Sequence, residues 1–149
     1  MNEGLKTSQA GLDLITKWEG LKLQTYICPA GKPTIGVGHV VLSGENFAGG
    51  ITREKALEIL ASDVEKFERG IQRNISVPLS QNQFDALVSW TYNVGPAAMA
   101  KSTLMSHHNA GRVTDAANEF ARWNRAGGKP MAGLTRRRKA EADLYRSLT

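Results

Sequence analysis

The chain has 149 residues, a hydrophobic content of 41% and a formal net charge of +5. This length fits one domain or one domain with two lobes, and the hydrophobic content supports a core without covalent cross-links. Because Cys28 is the only cysteine, an internal disulfide is excluded, and no window reaches the roughly 18 apolar residues of a membrane-spanning helix.

The first third of the chain predicts one helix followed by a small sheet. Apolar residues recur at helical spacing over 8–18, and Gly20 suits the end of that helix. Alternating β-formers with glycines and prolines predict a hairpin or small sheet over 21–41, and the composition of 43–50 is that of a loop. Residues 8–50 are therefore expected to form an N-terminal helix and a β lobe.

The rest of the chain predicts mostly helices. Thr52 is a good N-cap for a connecting helix over 52–73, along which a single apolar stripe is buried. Ser80 begins a capping box that opens a helical lobe over 80–149. We expect an α+β fold in which a small β lobe and a larger helical lobe form one domain, 1–149, with a cleft between them that suits a long polymer.

Basic residues are concentrated near the C-terminus. A loop is predicted over 127–133 and a last helix over 135–148, with Ala140 and Leu144 facing the core. The run 136–139 is explained either as a solvated helix face or as a patch for a polyanion, with nucleic acid and the bacterial wall as candidates. Because the run has no interleaved aromatic residues, and no zinc-finger or RNA-binding signature is present, we expect no nucleic-acid partner.

The first candidate for chemistry is Glu19, which follows the bulky Trp18 at the end of the first predicted helix. A carboxyl group in partly apolar surroundings keeps its proton to higher pH and can act as a general acid. Considered alone, however, Glu19 is better explained as a surface glutamate at a helix end. Its position by itself predicts no activity.

The wider pattern changes this interpretation. Glu19 is followed at fixed spacing by Cys28 and Thr34, and Thr34 opens the strand Thr-Ile-Gly-Val-Gly-His over 34–39. This arrangement resembles the active-site signature of the phage-type lysozymes, glycoside hydrolase family 24. The resemblance continues through four further stretches: 83–87, 92–95, Trp123 and 133–141. It therefore extends over nearly the whole chain.

The resemblance implies an endolysin that hydrolyses the β-1,4 bond between N-acetylmuramic acid and N-acetylglucosamine in peptidoglycan. Glu19 matches the general acid, and Cys28 occupies the second catalytic position, where family members carry Asp or, in some, Cys. Thr34 matches the threonine that holds the attacking water. The implied mechanism is inverting, because a base-assisted water attacks the sugar from the face opposite the leaving oxygen.

Three interpretations of Cys28 remain open. The residue is a thiolate that acts as base or nucleophile, or it polarises water together with Thr34. Alternatively it is an ordinary buried cysteine in a site dominated by Glu19. Free thiols are mostly neutral at pH 7, so the first interpretation needs surroundings that favour the thiolate, such as the positive charge of Lys32.

The resemblance also implies supporting residues. Those that match the saccharide groove of the family are Val40, Tyr92, Asn93 and Thr103. Tyr92 fits a core aromatic residue equally well. The family match pairs His39 with Asp63, from which we expect a raised His39 pKa, and it places an arginine near Glu19, for which we choose Arg137.

Metal and cofactor sites are not expected. Gly36 and Gly38 invite a dinucleotide-binding interpretation, but Val41 stands where the third glycine of that fingerprint belongs. His107 and His108 form an isolated pair without further ligand spacing, and we expect both on the solvated surface.

Two alternatives to a hydrolase follow from the same residues. A lytic transglycosylase cleaves the same bond with a single glutamate, and a non-catalytic cationic module would only bind the wall. For an endolysin the resemblance implies a monomer in the host cytoplasm that acts on the periplasmic wall without stable membrane insertion, after a holin permeabilises the membrane. A role in the phage tail also remains open.

Overall fold

The first helix positions the candidate acid. In a computed structural model that describes residues 2–147, helix α1 spans Gln9–Glu19. The hydroxyl of Ser8 caps this helix by accepting a hydrogen bond from the Gly11 N–H. Gly20 ends it with a φ of 83°, a left-handed conformation that glycine adopts without strain. Glu19 is therefore the last helical residue before the chain turns into the sheet. Positions 1, 148 and 149, which the expected domain and last helix include, lie outside the described residues.

A three-stranded antiparallel sheet forms the β lobe. Its strands, in spatial order, are β1 Lys22–Ile27, β2 Pro33–Gly36 and β3 His39–Val40. Thr34 of the central strand lies opposite Tyr26 on one side and Val40 on the other. Because neighbouring residues of a strand point to opposite faces, this register decides which of them face the interior.

The connecting segment forms two helices rather than one. Helix α2 spans Arg53–Asp63 and helix α3 spans Glu65–Asn74, so the continuous helix expected over 52–73 is wrong. The interruption lies at Val64, whose ψ of −15° departs from the roughly −42° of an α-helix. Val64 is nonetheless buried, like the apolar residues before and after it. The apolar stripe was predicted correctly because periodicity reports the buried face, whereas it does not register a change in one backbone angle.

The helical lobe surrounds one buried helix. Its elements are α4 Gln81–Val94, α5 Pro96–Ala100, α6 Thr103–Asn109, α7 Val113–Glu119, a 3-10 turn Phe120–Arg122, the strands β4 Arg125–Ala126 and β5 Lys129–Pro130, and α8 Ala132–Arg146. The predicted capping box at Ser80 is present, with the Ser80 hydroxyl and the Gln83 side chain each bonded to the other residue's backbone. Helix α4 is buried from Phe84 to Thr91 and packs against α1, α3 and α8. The predicted α+β class is confirmed.

Several expectations near the C-terminus are wrong. The stretch expected as a loop over 127–133 contains strand β5 and the start of α8. The basic run is not a solvated face, because Arg137 and Arg138 are buried while Arg136 and Lys139 are exposed. Leu144 packs against the core as expected, although it and Ala140 are only half-buried because charged side chains share the buried face of this helix.

The histidine pair also differs from the expectation of two solvated residues. His108 is buried against the Tyr145 ring, and its Nδ1 contacts the Tyr145 hydroxyl. His107 is half-buried and accepts a hydrogen bond from Arg112. The sequence shows no periodic helical signal over the short α6, which explains why this inward orientation was not anticipated. In the described part of the chain, no helix combines the length and apolar character needed to cross a bilayer.

Candidate active site

The two carboxylate oxygens of Glu19 have different surroundings. Arg137 donates from Nη1 to Glu19 Oε2 at 2.6 Å. The other oxygen, Oε1, lies toward Gly38, where an added Cβ would come within 3.4 Å of it. Gly38 also has a φ of 75°, so the backbone conformation favours glycine there, whereas the contact with Glu19 would be an ordinary one. Since Glu19 is 23% exposed, its carboxyl group remains accessible from the cleft.

Arg137 is itself held by buried partners. Its Nε donates to Glu141 Oε2 at 3.1 Å, and its Nη2 donates to the Ser89 carbonyl oxygen at 2.9 Å. Glu141 has no exposed surface and also accepts hydrogen bonds from the Ser89 hydroxyl and from Arg138 Nη1, both at 2.6 Å. These bonds fix the guanidinium of Arg137, which in turn fixes the orientation of Glu19.

The charges in this buried network balance. Burial raises the pKa of Glu141, and the two guanidinium groups with the Ser89 hydroxyl oppose that shift by stabilising its anion. When Glu19 and Glu141 are both ionised, two carboxylates neutralise Arg137 and Arg138. A buried charge that lost its partner here would be strongly destabilising.

Arg138 connects the same network to the groove. It donates from Nε to the Trp123 carbonyl oxygen at 2.9 Å, and its Nη2 donates to Asn93 Oδ1. Because this bond occupies the Asn93 carbonyl group, the Asn93 side chain is left to act mainly as a donor. Neither Arg138 nor Glu141 was singled out from the sequence as a site residue.

A pocket of about 300 Å³ lies on one side of Glu19. Its lining residues are Glu19, Gly38, His39, Val40, Leu42, Asp63, Lys66, Phe67 and Tyr92. The Tyr92 hydroxyl donates to the Val37 carbonyl oxygen at 2.7 Å. The Tyr92 ring packs edge-on against the Phe67 ring, with the two ring centres 5.2 Å apart. Burial raises the pKa of Tyr92, so its phenol stays neutral. Tyr92 thus has both of its expected features, packing like a core aromatic residue and lining the pocket. We call this space the first pocket.

Three further pockets are related to Glu19 through shared lining residues. A second pocket of about 500 Å³ also includes Glu19, together with Trp18, Asn93 and Arg137. Asn93 lines a third pocket as well, which reaches Trp123. Trp123 in turn lines a fourth pocket that contains Thr103. Among the predicted groove residues, Val40 therefore lines a pocket that includes Glu19, whereas Thr103 lines one that does not.

His39 contacts two carboxylates. The predicted contact with Asp63 is present, at 2.7 Å from Nδ1, and Glu45 lies 2.9 Å from Nε2. Burial disfavours the charged imidazole, but the bonds to Glu45 and Asp63 outweigh it and raise the pKa of His39. Hydrogen bonding by the Leu42 N–H and by His39 lowers the pKa of Glu45. Glu45 was missed in the sequence because it lies in a loop without periodic spacing.

This contact predicts a pH-dependent stability. A raised pKa means that the His39 contribution is complete below the usual value of 6.5 and is lost as pH rises through the folded value. The Glu45 contribution, with a lowered pKa, is present above 4.5 and is lost as pH falls. We expect the difference in unfolding free energy between wild type and His39→Gln to be largest near about pH 5–6 and to shrink above neutrality.

Urea unfolding from pH 5 to pH 9 measures this difference. Titration of His108, which both proteins retain, cancels in the comparison. A difference that stays constant across this range would show that the charge of His39 contributes nothing.

Cys28 and Thr34 are brought together beside the turn between β1 and β2. Hydrogen bonds from the Lys32 backbone and from the Thr34 hydroxyl lower the pKa of the Cys28 thiol below its usual value of 9.0. Thr34 is buried, and its Oγ1 also lies 3.0 Å from the Lys32 carbonyl oxygen, so its one proton has two acceptors within reach. Cys28 is half-exposed, which does not fit its interpretation as an ordinary buried cysteine.

The described residues do not form a cluster of metal-ligating side chains. No group of three or more His, Cys, Asp or Glu side chains within 2–147 could hold a metal ion. The carboxylates nearest the groove are instead bonded to Arg137 and His39.

Known proteins resemble this chain over nearly its full length. The family model described as phage lysozyme matches residues 16–141. The endolysin of Bacillus phage B103 is 44% identical over 143 residues, which cover 95% of this chain and 54% of that protein. This chain thus spans about half the length of that relative. The endolysin of Salmonella phage P22 is 39% identical over 141 residues, covering 93% of this chain and 97% of that protein.

Solved structures agree with the sequence matches. The endolysin from Escherichia coli O157:H7 phage FAHEc1 has a TM-score of 0.87 to this chain at 44% identity, and the match covers 96% of this chain and 94% of that one. The match therefore includes both lobes and the cleft.

Proposed function

This chain belongs to the phage lysozyme family and has its lysozyme-like α+β fold, and we propose that it is an endolysin that cleaves peptidoglycan. The bond proposed is the β-1,4 bond between N-acetylmuramic acid and N-acetylglucosamine, and the reaction is hydrolysis. The observation that carries this proposal is that Glu19 lines two pockets, with one carboxylate oxygen held by Arg137 and the other toward Gly38.

Glu19 is the proposed general acid. In this role Oε1 carries the proton and passes it to the leaving glycosidic oxygen while the bond from that oxygen to the sugar C1 breaks. Glu19 then becomes an anion whose Oε2 is already bonded to Arg137 at 2.6 Å. The ion pair is therefore stronger in the transition state than in the complex with protonated Glu19, and an interaction of that kind accelerates the reaction.

Cys28 and Thr34 are proposed to handle the water. The Thr34 hydroxyl accepts a hydrogen bond from the water, whose oxygen forms the new bond to C1. The Cys28 thiolate takes the proton that this water releases. The lowered pKa of Cys28 supports the thiolate form. The protons of the reaction balance, because Glu19 loses one and Cys28 gains one.

The groove residues are proposed to bind the glycan strand. Val40 presents exposed apolar surface in the first pocket. Asn93 offers an amide donor in the second pocket, which also includes Glu19. Thr103 would contact only a distant sugar, because its pocket shares no lining residue with either pocket that includes Glu19. Tyr92 would act by shape, since its hydroxyl is bonded to the backbone.

Product analysis tests this function. Purified peptidoglycan is incubated with the protein, and the released fragments are identified by mass spectrometry. Hydrolysis predicts reducing N-acetylmuramic acid ends. Anhydro-muramic ends would instead show a lytic transglycosylase, and binding without any cleavage would show a non-catalytic wall-binding module.

Substitutions of Cys28 test the water-activating role. Cys28→Ala and a thiol-blocking reagent are each expected to lower turnover by about 10²-fold or more, because the general base is lost. Cys28→Asp should retain substantial activity, since a carboxylate serves the same purpose. Rates are measured on purified peptidoglycan, with melting temperatures as the folding control. Unchanged turnover in Cys28→Ala would exclude the thiolate as base or nucleophile.

The cellular setting belongs to the same proposal. The enzyme would work as a monomer, be made in the host cytoplasm, and reach the periplasmic wall through a membrane opened by a holin. These points rest on the family alone.

A further inference from the structure

Lys66 is a cation of the first pocket without a carboxylate partner. Within residues 2–147 no carboxylate oxygen lies within 4.0 Å of its Nζ, which instead lies 5.0 Å from the centre of the Phe67 ring. Lys66 is exposed and lies on the first turn of α3. It is next in the chain to Phe67, whose ring packs against Tyr92 in the lining of the first pocket.

The other charged residues that line the first pocket each have an oppositely charged partner within the protein. Glu19 is paired with Arg137, and Asp63 is paired with His39. His39 also contacts Glu45, so its own charge faces two carboxylates. His39 with Asp63 and Glu45 is therefore net negative even when the imidazole is protonated, and Lys66 is the cation among the described lining residues that has no carboxylate partner.

We propose that Lys66 is a specificity-determining residue that binds a carboxylate carried by the N-acetylmuramic acid unit of the substrate. This inference rests on the proposed function and extends it. A strand made only of N-acetylglucosamine is neutral and offers Lys66 no partner. N-acetylmuramic acid carries a lactyl carboxylate, or a peptide with its own carboxylates when the lactyl group is substituted. Lys66 thus favours wall glycan over a neutral glycan of the same backbone.

The expected effect is moderate. An exposed ion pair is screened by salt and loses side-chain entropy, so its removal should weaken binding by about fivefold. The effect should diminish at high ionic strength, because screening acts most strongly on exposed charges.

The test measures binding to three disaccharides that the proposed reaction does not cleave. They are N-acetylglucosaminyl-N-acetylmuramic acid with a free lactyl group, the same disaccharide carrying its peptide, and neutral chitobiose. Dissociation constants are determined by NMR titration for wild type, Lys66→Gln, Lys66→Arg and Lys55→Gln. Lys55 is the matched control, because it is exposed on α2, does not line the first pocket, and its substitution changes the net charge equally.

Lys66→Gln should weaken binding of one or both acidic disaccharides about fivefold and leave chitobiose unchanged, whereas Lys66→Arg and Lys55→Gln should match wild type. If Lys66→Gln weakens binding of only the free lactyl disaccharide, Lys66 binds the lactyl carboxylate. If it weakens binding of only the peptide-carrying disaccharide, Lys66 binds a peptide carboxylate. Equal weakening for all three ligands, no weakening, or the same effect in Lys55→Gln would overturn the inference. Failure of the proposed function is a separate result, because it appears as absent cleavage in the product analysis.

Discussion

Replacement of Glu19 by Gln is expected to reduce the rate of peptidoglycan cleavage by about 10²–10⁴-fold, the contribution typical of a general acid. Gln has nearly the same shape as Glu but has no proton to give to the leaving oxygen. Arg137 loses the charge of one partner but keeps its bonds to Glu141 and to the Ser89 carbonyl oxygen, so we expect a less stable protein that still folds.

Clearing of permeabilised Gram-negative cells provides the measurement. Glu58→Gln is the matched control, because this exposed carboxylate on α2 lies outside the groove and its loss changes the net charge equally. Wild-type clearing rates in Glu19→Gln, with folding verified by its melting temperature, would exclude Glu19 as the acid.

Replacement of Glu141 by Gln is expected to lower the free energy of unfolding by about 3–5 kcal/mol, the range for removing one partner from a buried ion pair. Glu141 is fully buried and bonded to Arg137 and Arg138, so its loss leaves positive charge uncompensated in the interior. The same substitution should also reduce activity, because Arg137 would no longer be fixed beside Glu19.

The matched control is Asp143→Asn on the same helix. Asp143 pairs with Lys139 on the surface, where an ion pair contributes about 0–1 kcal/mol. Both variants are measured by urea unfolding at pH 7. A loss in Glu141→Gln no larger than that in Asp143→Asn would show that Glu141 is already neutral in the folded protein.

The local elements of the fold were predictable because their causes are local. Ser8 and Ser80 cap helices by bonding to backbone groups three residues away, and Gly20 ends α1 by its own conformational freedom. These features need no distant contact. The break at Val64 was missed because it changes one backbone angle and leaves the buried stripe intact.

Contacts in the site between residues far apart in the chain were predictable only where a motif or a family match indicated them. The resemblance led to the contacts of Asp63 with His39 and of Arg137 with Glu19, and both are present. The catalytic roles of Glu19, Cys28 and Thr34 stay predictions. Glu141 ends the matched stretch 133–141 but was assigned no role, because the sequence does not distinguish a charged residue at a buried helical position from one on a solvated face. Its role depends on Ser89 of α4, 52 residues away in the chain.

The most direct test of Glu19 as proton donor compares two leaving groups. A muramic-acid glycoside with a dinitrophenyl leaving group needs no proton for departure, whereas the natural glycan does. In Glu19→Gln we expect the cleavage rate to fall about 10²-fold or more on the glycan but less than about 10-fold on the dinitrophenyl substrate. Equal losses on both substrates would contradict the assignment of Glu19 as the general acid.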